Sequence, residues 1–212
     1  MADARKITTR LLKAYPDAGI DLNFSTPLEL LVATLLSAQC TDARVNEVTA
    51  KLFRKYRNAA DYANARTRTF ETEIHSTGFY KNKARAVIDC CKRLVADFGG
   101  QVPRTTEELT SLPGVGRKTA HMVLGNAFGQ AAIAVDTHVL RVSQRLGLAQ
   151  SRNADKAEQE LAAEVPQKHW TAFTNAMILH GRGICTARSP HCCECALYDL
   201  CAWTEKPHCA DP

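Results

Sequence analysis

Four cysteines near the C-terminus have the spacing of a metal-binding loop. The pattern is Cys185-x6-Cys192-x2-Cys195-x5-Cys201, which places four thiols within a short stretch of chain. Four thiolates suit either a tetrahedral zinc ion or an iron–sulfur cubane, and the spacing alone leaves both interpretations open.

The other cysteines indicate no disulfide framework. The total of nine is odd, and the N-terminus lacks the apolar stretch of a signal peptide. We therefore expect a reducing, cytoplasmic location, in which Cys193 and Cys209 are free thiols. Cys40, Cys90 and Cys91 lie in apolar helical patterns, which predicts that they belong to the core.

A second segment has residues suited to binding phosphate. Leu112-Pro113-Gly114-Val115-Gly116-Arg117-Lys118-Thr119-Ala120 joins two predicted helices through a turn with two glycines. Because glycine has no Cβ, backbone N–H groups in such a turn can approach an anion closely. The start of the following helix adds unpaired N–H donors and partial positive charge. The alternative is a tight turn in which glycine serves only steric needs.

Lys118 and Asp136 are candidate catalytic residues, and each has an ordinary alternative. Lysine forms Schiff bases with carbonyl carbons, and burial at a helix start would favour its neutral, nucleophilic form. Lys118 could equally be a solvated charge or a phosphate ligand. Asp136 stands where an N-cap belongs, a position that aspartate often occupies.

Nearly every segment has a helical pattern. Thr26, Pro27 and Glu29 predict a capped start to a buried helix that runs to about Ala38. Apolar residues at three- and four-residue spacing predict further helices around residues 45–56, 84–98, 105–112, 117–127, 139–146, 154–164 and 168–180. The last of these is expected to end at Gly181. No alternating strand pattern occurs, so the predicted fold class is all-α.

The charge is unevenly distributed. Residues 1–130 hold 19 Lys and Arg against 13 Asp and Glu, whereas residues 131–212 hold 8 against 9. A positive bias suits a polyanionic partner but does not by itself identify nucleic acid. The longest apolar stretch, residues 28–36, contains Glu29 and Thr34, so no membrane span is expected.

Together these segments resemble the endonuclease III family of DNA repair enzymes. The glycine turn matches a helix-hairpin-helix motif, and the cysteine spacing agrees throughout. Further similar segments are Leu35-Leu36-Ser37-Ala38-Gln39-Cys40-Thr41-Asp42, Gly78-Phe79-Tyr80-Lys81-Asn82-Lys83-Ala84 and Val135-Asp136-Thr137-His138-Val139. The resemblance extends over about residues 5–203.

The resemblance implies a fold and a cofactor. The fold is the helix-hairpin-helix DNA glycosylase fold, with two helical domains and a DNA groove between them. Residues 21–130 would form a six-helix domain that contains the hairpin motif, about 106–128. Residues 1–20 and 131–212 would form a cluster domain, whose loop 185–201 holds a [4Fe–4S] cluster through Cys185, Cys192, Cys195 and Cys201.

The resemblance also implies an activity. The enzyme would be a bifunctional DNA N-glycosylase that removes oxidised pyrimidines and cuts the abasic site by β-elimination, with Lys118 as nucleophile and Asp136 as proton acceptor. Gln39 and Phe79 would fill the space left by a flipped nucleotide. The alternatives are a polar helix-end residue for Gln39 and a core aromatic for Phe79. The remaining implied DNA contacts are Leu112, Gly114, Val115 and Gly116.

The implied partner is double-stranded DNA with damaged bases or abasic sites. The implied protein is a monomer in the bacterial cytoplasm, associated with the nucleoid and not with membranes. One rival is a monofunctional mismatch or adenine glycosylase, whose family members lack the lysine found at Lys118. The other is a non-catalytic iron–sulfur DNA-binding protein, against which Lys118 and Asp136 argue together. His121 stands where many relatives have asparagine, so the resemblance leaves lesion preference open.

Overall fold

The computed structural model describes residues 3–209, and this part of the chain is helical. Its α-helices are α1 (Ala4–Ala14), α2 (Pro27–Leu36), α3 (Asp42–Lys55), α4 (Ala59–Ala63), α5 (Thr67–Glu73), α6 (Tyr80–Phe98), α7 (Thr106–Thr110), α8 (Arg117–Phe128), α9 (Thr137–Leu146), α10 (Ala154–Glu164) and α11 (Trp170–Gly183). No strand occurs within residues 3–209, which confirms the all-α prediction. None of the helices described has the length and apolar character needed to cross a membrane.

The contacts divide the chain into two compact units. One is continuous and consists of Ile20–Gly129. The other combines the described residues up to Gly19 with those from Gln130 onward, so the first and last described segments of the chain belong to the same unit. Each unit has its own buried core.

Helix α2 is the buried centre of the unit Ile20–Gly129. The Thr26 side chain caps it by accepting from the Glu29 N–H, as the sequence predicts. The Glu29 carboxylate accepts from the Ser25 N–H at 2.6 Å and not from the Thr26 N–H, so the predicted capping box is displaced by one residue. The helix packs against α3, α6 and α8. Its buried side chains are Leu30, Leu31, Val32, Ala33, Leu35 and Leu36. Because α8 rests on this core helix, the helix that begins at the glycine turn has a firm support.

Helix α6 packs against several of the other helices in this unit. It begins after Phe79 and ends at Gly99, whose φ of 57° is left-handed and so suits glycine. It packs against α2, α4 and α5. Cys90 and Cys91 are buried on it, as predicted, whereas Cys40 is only half-buried.

The unit that contains the chain ends is built on α9 and α11, with α1 and α10 beside them. Helix α11 packs against both α1 and α9. Asp136 caps α9, as the sequence predicts. The large side chains of the core include Ile7, Leu11, Val139, Val142, Phe173 and Met177.

The prediction that Gly181 ends a helix is wrong, because α11 continues through Gly181 to Gly183. A Cβ at position 181 would lie 2.9 Å from the Cβ of His138 and 3.2 Å from Cγ2 of Val142. Gly181 therefore permits the close approach of α11 to α9, and the signal that suggests a helix end is a packing requirement.

Candidate functional site

The glycine turn between α7 and α8 presents backbone rather than side chains. Leu112 and Val115 are buried, at 2% and 5% exposure, and the Val115 N–H donates to the Leu112 carbonyl at 3.1 Å. Gly114 has a φ of +78°, and a Cβ there would lie 3.0 Å from the Cβ of Ala86 on α6. The glycine therefore meets two needs at once, a left-handed turn and close packing on α6.

The first turn of α8 has donors that suit an anion. Gly116 is the N-cap residue, and no side chain caps the helix start. The first N–H groups of an α-helix have no partner within the helix. With partial positive charge at the same end, these groups are arranged in a way that suits an anion such as phosphate.

Lys118 lies in this first turn, and its side chain is exposed. The expectation that Lys118 is buried is therefore wrong. Its Nζ has no hydrogen-bond or ion-pair partner among residues 3–209, so the amine is accessible to an incoming molecule. His121, one turn later, is 8% exposed and lies on the buried side of α8.

Asp136 is held in one orientation by the start of α9. Its Oδ1 accepts from the N–H groups of His138 and Val139, both at 2.8 Å. Its Oδ2 receives no hydrogen bond from the part of the chain described. The ordinary interpretation of Asp136 as an N-cap is thus confirmed, and it leaves one carboxylate oxygen available for chemistry. Asp136 and Lys118 belong to different units.

Gln39 and Phe79 share an uncommon backbone conformation. They are the two non-glycine residues of 3–209 with positive φ, 52° and 47° respectively. Both are exposed, and Phe79 retains 62% of its surface. The core-aromatic alternative for Phe79 is wrong, and Gln39 lies beyond the end of α2 rather than within it. Strained backbone of this kind tends to occur where function requires a particular side-chain position.

The four patterned cysteines line one cavity in the unit that contains the chain ends. Cys185, Cys192, Cys195 and Cys201 surround it together with Val142, Arg145, Leu146, His180, Ile184, Pro190, Tyr198, Trp203 and Lys206. No three His, Cys, Asp or Glu side chains within residues 3–209 are grouped so that they could hold one metal ion. The four cysteines therefore share one cavity.

Several donors face these sulfurs. Arg145 NH1 donates to Sγ of Cys185 at 3.3 Å, and the Leu197 N–H donates to Sγ of Cys195 at 3.4 Å. Nε2 of His180 lies 3.6 Å from the same Cys195 sulfur, while its Nδ1 lies 3.0 Å from the Tyr15 hydroxyl. Such donors around a cysteine sulfur stabilise the thiolate that a metal centre requires.

Burial opposes ionisation of two of these thiols, and the cations Arg145 and Lys206 only partly offset it at Cys192. Burial raises the pKa of the Cys195 thiol to about 11 and also raises the pKa of Cys192. Burial lowers the pKa of His180 to about 4, so the ring is neutral at pH 7. Metal binding would therefore have to supply the free energy for the thiols of Cys192 and Cys195 to ionise at neutral pH.

The expectation that Cys193 and Cys209 are free thiols is wrong. They form a disulfide, with 5.3 Å between their Cα atoms. The Tyr198 hydroxyl accepts from the Cys209 N–H at 3.3 Å, and it donates to the Pro207 carbonyl at 3.1 Å. The chain after Cys201 thus folds back onto the cysteine loop, a long-range return that local spacing does not predict.

Comparisons with known proteins match both the sequence and the fold. The model of the HhH-GPD superfamily of base excision DNA repair proteins matches residues 32–167. Endonuclease III of Synechocystis sp. is 49% identical over 93% of this chain and 91% of its own length. Endonuclease III of Escherichia coli K12 is 43% identical over 95% of each chain. A solved trapped covalent intermediate of endonuclease III with DNA has a TM-score of 0.90 and 45% identity, covering 95% of this chain and 97% of that one.

Proposed function

The chain belongs to the endonuclease III family of the HhH-GPD superfamily, and from that premise we propose that Lys118 and Asp136 divide the chemistry of a base excision repair glycosylase and AP lyase. The observation that carries this proposal is the position of Lys118. Its exposed amine stands in the uncapped first turn of α8, next to the glycine turn suited to bind phosphate. A nucleophile at that position would be close to a bound DNA backbone.

Lys118 acts as the nucleophile. Its Nζ forms a bond to C1′ of the damaged nucleotide while the bond from C1′ to the base breaks. The base leaves as its anion, and a proton of the new ammonium passes to the Asp136 carboxylate. That proton goes to O4′ as the sugar ring opens, which leaves a protonated Schiff base between C1′ and Nζ. Loss of a C2′ proton to water then breaks the C3′–O bond, the 3′ phosphate leaves, and the strand is cut on the 3′ side of the lesion.

Asp136 supports the first of these steps. The oxygen Oδ2 is available to accept a proton and to stabilise positive charge that develops on the sugar. Because Oδ1 holds two cap hydrogen bonds, the carboxylate does not need to be ordered when DNA binds. This pre-organisation lowers the entropic cost of the chemical step.

DNA binding is assigned to the backbone of the glycine turn and to two exposed side chains. Gly114, Gly116 and the first turn of α8 would hold a phosphate, while Leu112 and Val115 keep the turn in place from the core. A base inside a duplex is unreachable, so the damaged nucleotide must be flipped out. Gln39 and Phe79 would then occupy the vacated space, which accords with their exposure and fixed backbone.

We infer that the cysteine loop holds a [4Fe–4S] cluster rather than a zinc ion. Four cysteines can hold either group. The four cysteines line one cavity, and their spacing agrees with the pattern of the endonuclease III family, to which the chain belongs, which favours the cubane. Bound through Cys185, Cys192, Cys195 and Cys201, the cluster would cross-link the loop and its thiolates would accept the hydrogen bonds from Arg145 and Leu197.

Oxidised pyrimidines are the proposed substrates, because Lys118 assigns the chain to the bifunctional branch of the fold rather than to monofunctional adenine or mismatch glycosylases. The experiment that tests the proposal is strand scission of a duplex with a single abasic site. We expect cleavage 3′ to the site without added divalent metal. Binding without cleavage would instead support a non-catalytic DNA-binding protein. Base release from a thymine glycol duplex, measured separately, tests the substrate class.

A further inference from the structure

Lys83 is an unusual residue, because it is a buried lysine outside the proposed catalytic pair. Among the Lys, Arg, Asp and Glu residues of 3–209, it alone is buried, with 5% exposure. Charged side chains are almost never buried without a partner, since burial removes the charge from water. Its ammonium group is therefore expected to have a hydrogen-bond partner inside the protein.

The partner of Lys83 is the loop that precedes its own helix. Its Nζ donates to the Thr77 carbonyl at 2.7 Å, and its backbone N–H donates to the Phe79 carbonyl at 3.1 Å. Thr77 is itself buried, and its hydroxyl donates to the Ile74 carbonyl at 2.8 Å. The Lys83 side chain thus holds the residue before Gly78, while its backbone N–H makes the ordinary helical hydrogen bond to the residue after it.

The loop that Lys83 holds has a strained backbone. Gly78 has a φ of +71°, and Phe79 follows with a φ of +47°. Phenylalanine avoids the left-handed region, so surrounding contacts must stabilise it there. No side chain caps the start of α6 at Phe79. The ammonium of Lys83 is therefore the charged group that fixes this turn.

Lys83 also lies near the other elements assigned to DNA. Burial lowers the pKa of Lys83, and the nearby Cys40 thiol, next to Gln39, has the opposite effect on it. Three residues later on α6, Ala86 contacts Gly114 of the glycine turn. The first two turns of α6 therefore support the Phe79 loop and the glycine turn together.

We propose that Lys83 is a positioning residue for base flipping, whose ammonium holds the Thr77–Phe79 loop so that Phe79 stands ready to fill the space of the flipped nucleotide. This inference rests on the proposed function. Lys83 acts through Phe79 and does not touch the reacting atoms. If Lys83 had only a structural role, its substitution would lower stability, but its effect on base flipping would not depend on the Phe79 side chain.

The test is a double-mutant cycle between Lys83→Met and Phe79→Ala in the full-length, metal-loaded protein. Methionine keeps much of the apolar length of lysine and removes the donor. Flipping is followed by stopped-flow fluorescence of a 2-aminopurine next to a thymine glycol in an intact duplex. We expect Lys83→Met to slow flipping about 10-fold, within the range for coupled neighbours, and to have little further effect in the Phe79→Ala background. Independent, multiplicative effects would overturn the proposal.

Two controls separate positioning from other causes. Lys81→Met removes the same charge from an exposed site on the same helix turn, and we expect flipping within about twofold of wild type, as for an ordinary surface change. Lys83→Arg keeps a charged donor and should recover part of the flipping rate. If Lys83→Met does not fold, Lys83→Gln enters the same cycle. If both fail to fold, Lys83 is simply structural and the proposal is wrong.

The inference and the proposed function can fail separately. Cleavage of an abasic site in a flexible single strand requires no flipping, so Lys83→Met should retain it within about twofold of wild type. If wild type releases no base and cleaves no abasic site, the proposed function fails whatever Lys83 does. If wild type is active and Lys83→Met slows both substrates equally, only the positioning role fails.

Discussion

Arg145 donates a hydrogen bond from NH1 to Sγ of Cys185 at 3.3 Å. The same guanidinium donates to the carbonyls of Thr186 and Ala187 at 2.7 and 3.1 Å. Arg145 lies in the last turn of α9, the helix that Asp136 caps at its other end. One helix therefore joins the cysteine loop to the proposed catalytic carboxylate.

Loss of the cluster should therefore lower the stability of the folded protein more than it lowers Schiff-base formation. We expect Cys195→Ser to lower the soluble yield and the midpoint of thermal unfolding, followed by circular dichroism at 222 nm. Metal ligands that order a loop contribute their binding energy to folding. Lys118 lies in the other unit, so the protein that remains folded should still form the Schiff base with an abasic site. A variant of normal stability that has lost Schiff-base formation would contradict this expectation.

Metal content should distinguish the cubane from zinc. Protein purified without oxygen should be yellow-brown and contain about four irons and acid-labile sulfide per chain, as expected of one [4Fe–4S] cluster. Cys193→Ser is the matched control, since Cys193 lies in the same loop but is joined to Cys209. It should retain iron, whereas Cys192→Ser should not. Stoichiometric zinc without sulfide would mean that the proposed cofactor is wrong.

Two glycines on one helix provide a matched test of packing. Gly181→Ala should destabilise the protein by about 1–3 kcal/mol, the usual cost of overpacking, because the new Cβ would lie 2.9 Å from that of His138. Gly183→Ala should be neutral or stabilising, since no atom lies within 4 Å of its added Cβ. Urea denaturation measures both free energies of unfolding. Equal effects would mean that α9 and α11 do not pack this closely.

Much of the fold could be predicted because its signals are local. Thr26 and Glu29 form a cap that depends on residues three apart, and Gly99 ends a helix through its own backbone. Gly181 has the sequence signal of a helix end, but its actual constraint comes from His138, which is distant in sequence. Helix propensity carries no information about such a neighbour.

The candidate site shows the same contrast. The four cysteines that line the cavity are recognisable from their spacing, but the pairing of Cys193 with Cys209 depends on how the chain returns. Lys83 is one of several lysines in its segment, and only packing shows that it is buried beneath the Phe79 loop. Roles that depend on long-range burial are therefore the ones that the sequence alone could not reveal.

DNA affinity should fall steeply with salt. The positive bias of residues 1–130 and the uncapped start of α8 both favour phosphate contacts, which release counterions when they form. We expect the dissociation constant of an abasic-site duplex to rise at least about tenfold between 50 and 200 mM salt, measured by fluorescence anisotropy. An affinity that does not change with salt would exclude a binding mode dominated by phosphate contacts.

The division of labour between Lys118 and Asp136 gives the most specific prediction. If Nζ of Lys118 is the nucleophile, borohydride added during turnover should reduce the Schiff base and leave a covalent protein–DNA adduct, visible by gel electrophoresis. Lys118→Gln should abolish the adduct but retain DNA binding, because the backbone donors of the glycine turn are unchanged. Lys51→Gln, an exposed lysine on α3, serves as the control for charge loss. An adduct that persists in Lys118→Gln would place the nucleophile elsewhere.

Asp136→Asn completes this test, because asparagine keeps the shape and the capping ability of the side chain but removes the carboxylate. Base excision should fall by about 10²–10⁴-fold, the usual loss when a positioned acid–base group is removed. An abasic site already has an aldehyde in equilibrium at C1′, so its cleavage needs less help and should fall less. Thermal unfolding should change little, since Oδ1 of asparagine can still accept from His138 and Val139. Equal losses on both substrates would mean that the Asp136 carboxylate acts in a step common to both, such as Schiff-base formation or elimination, and not specifically in base release.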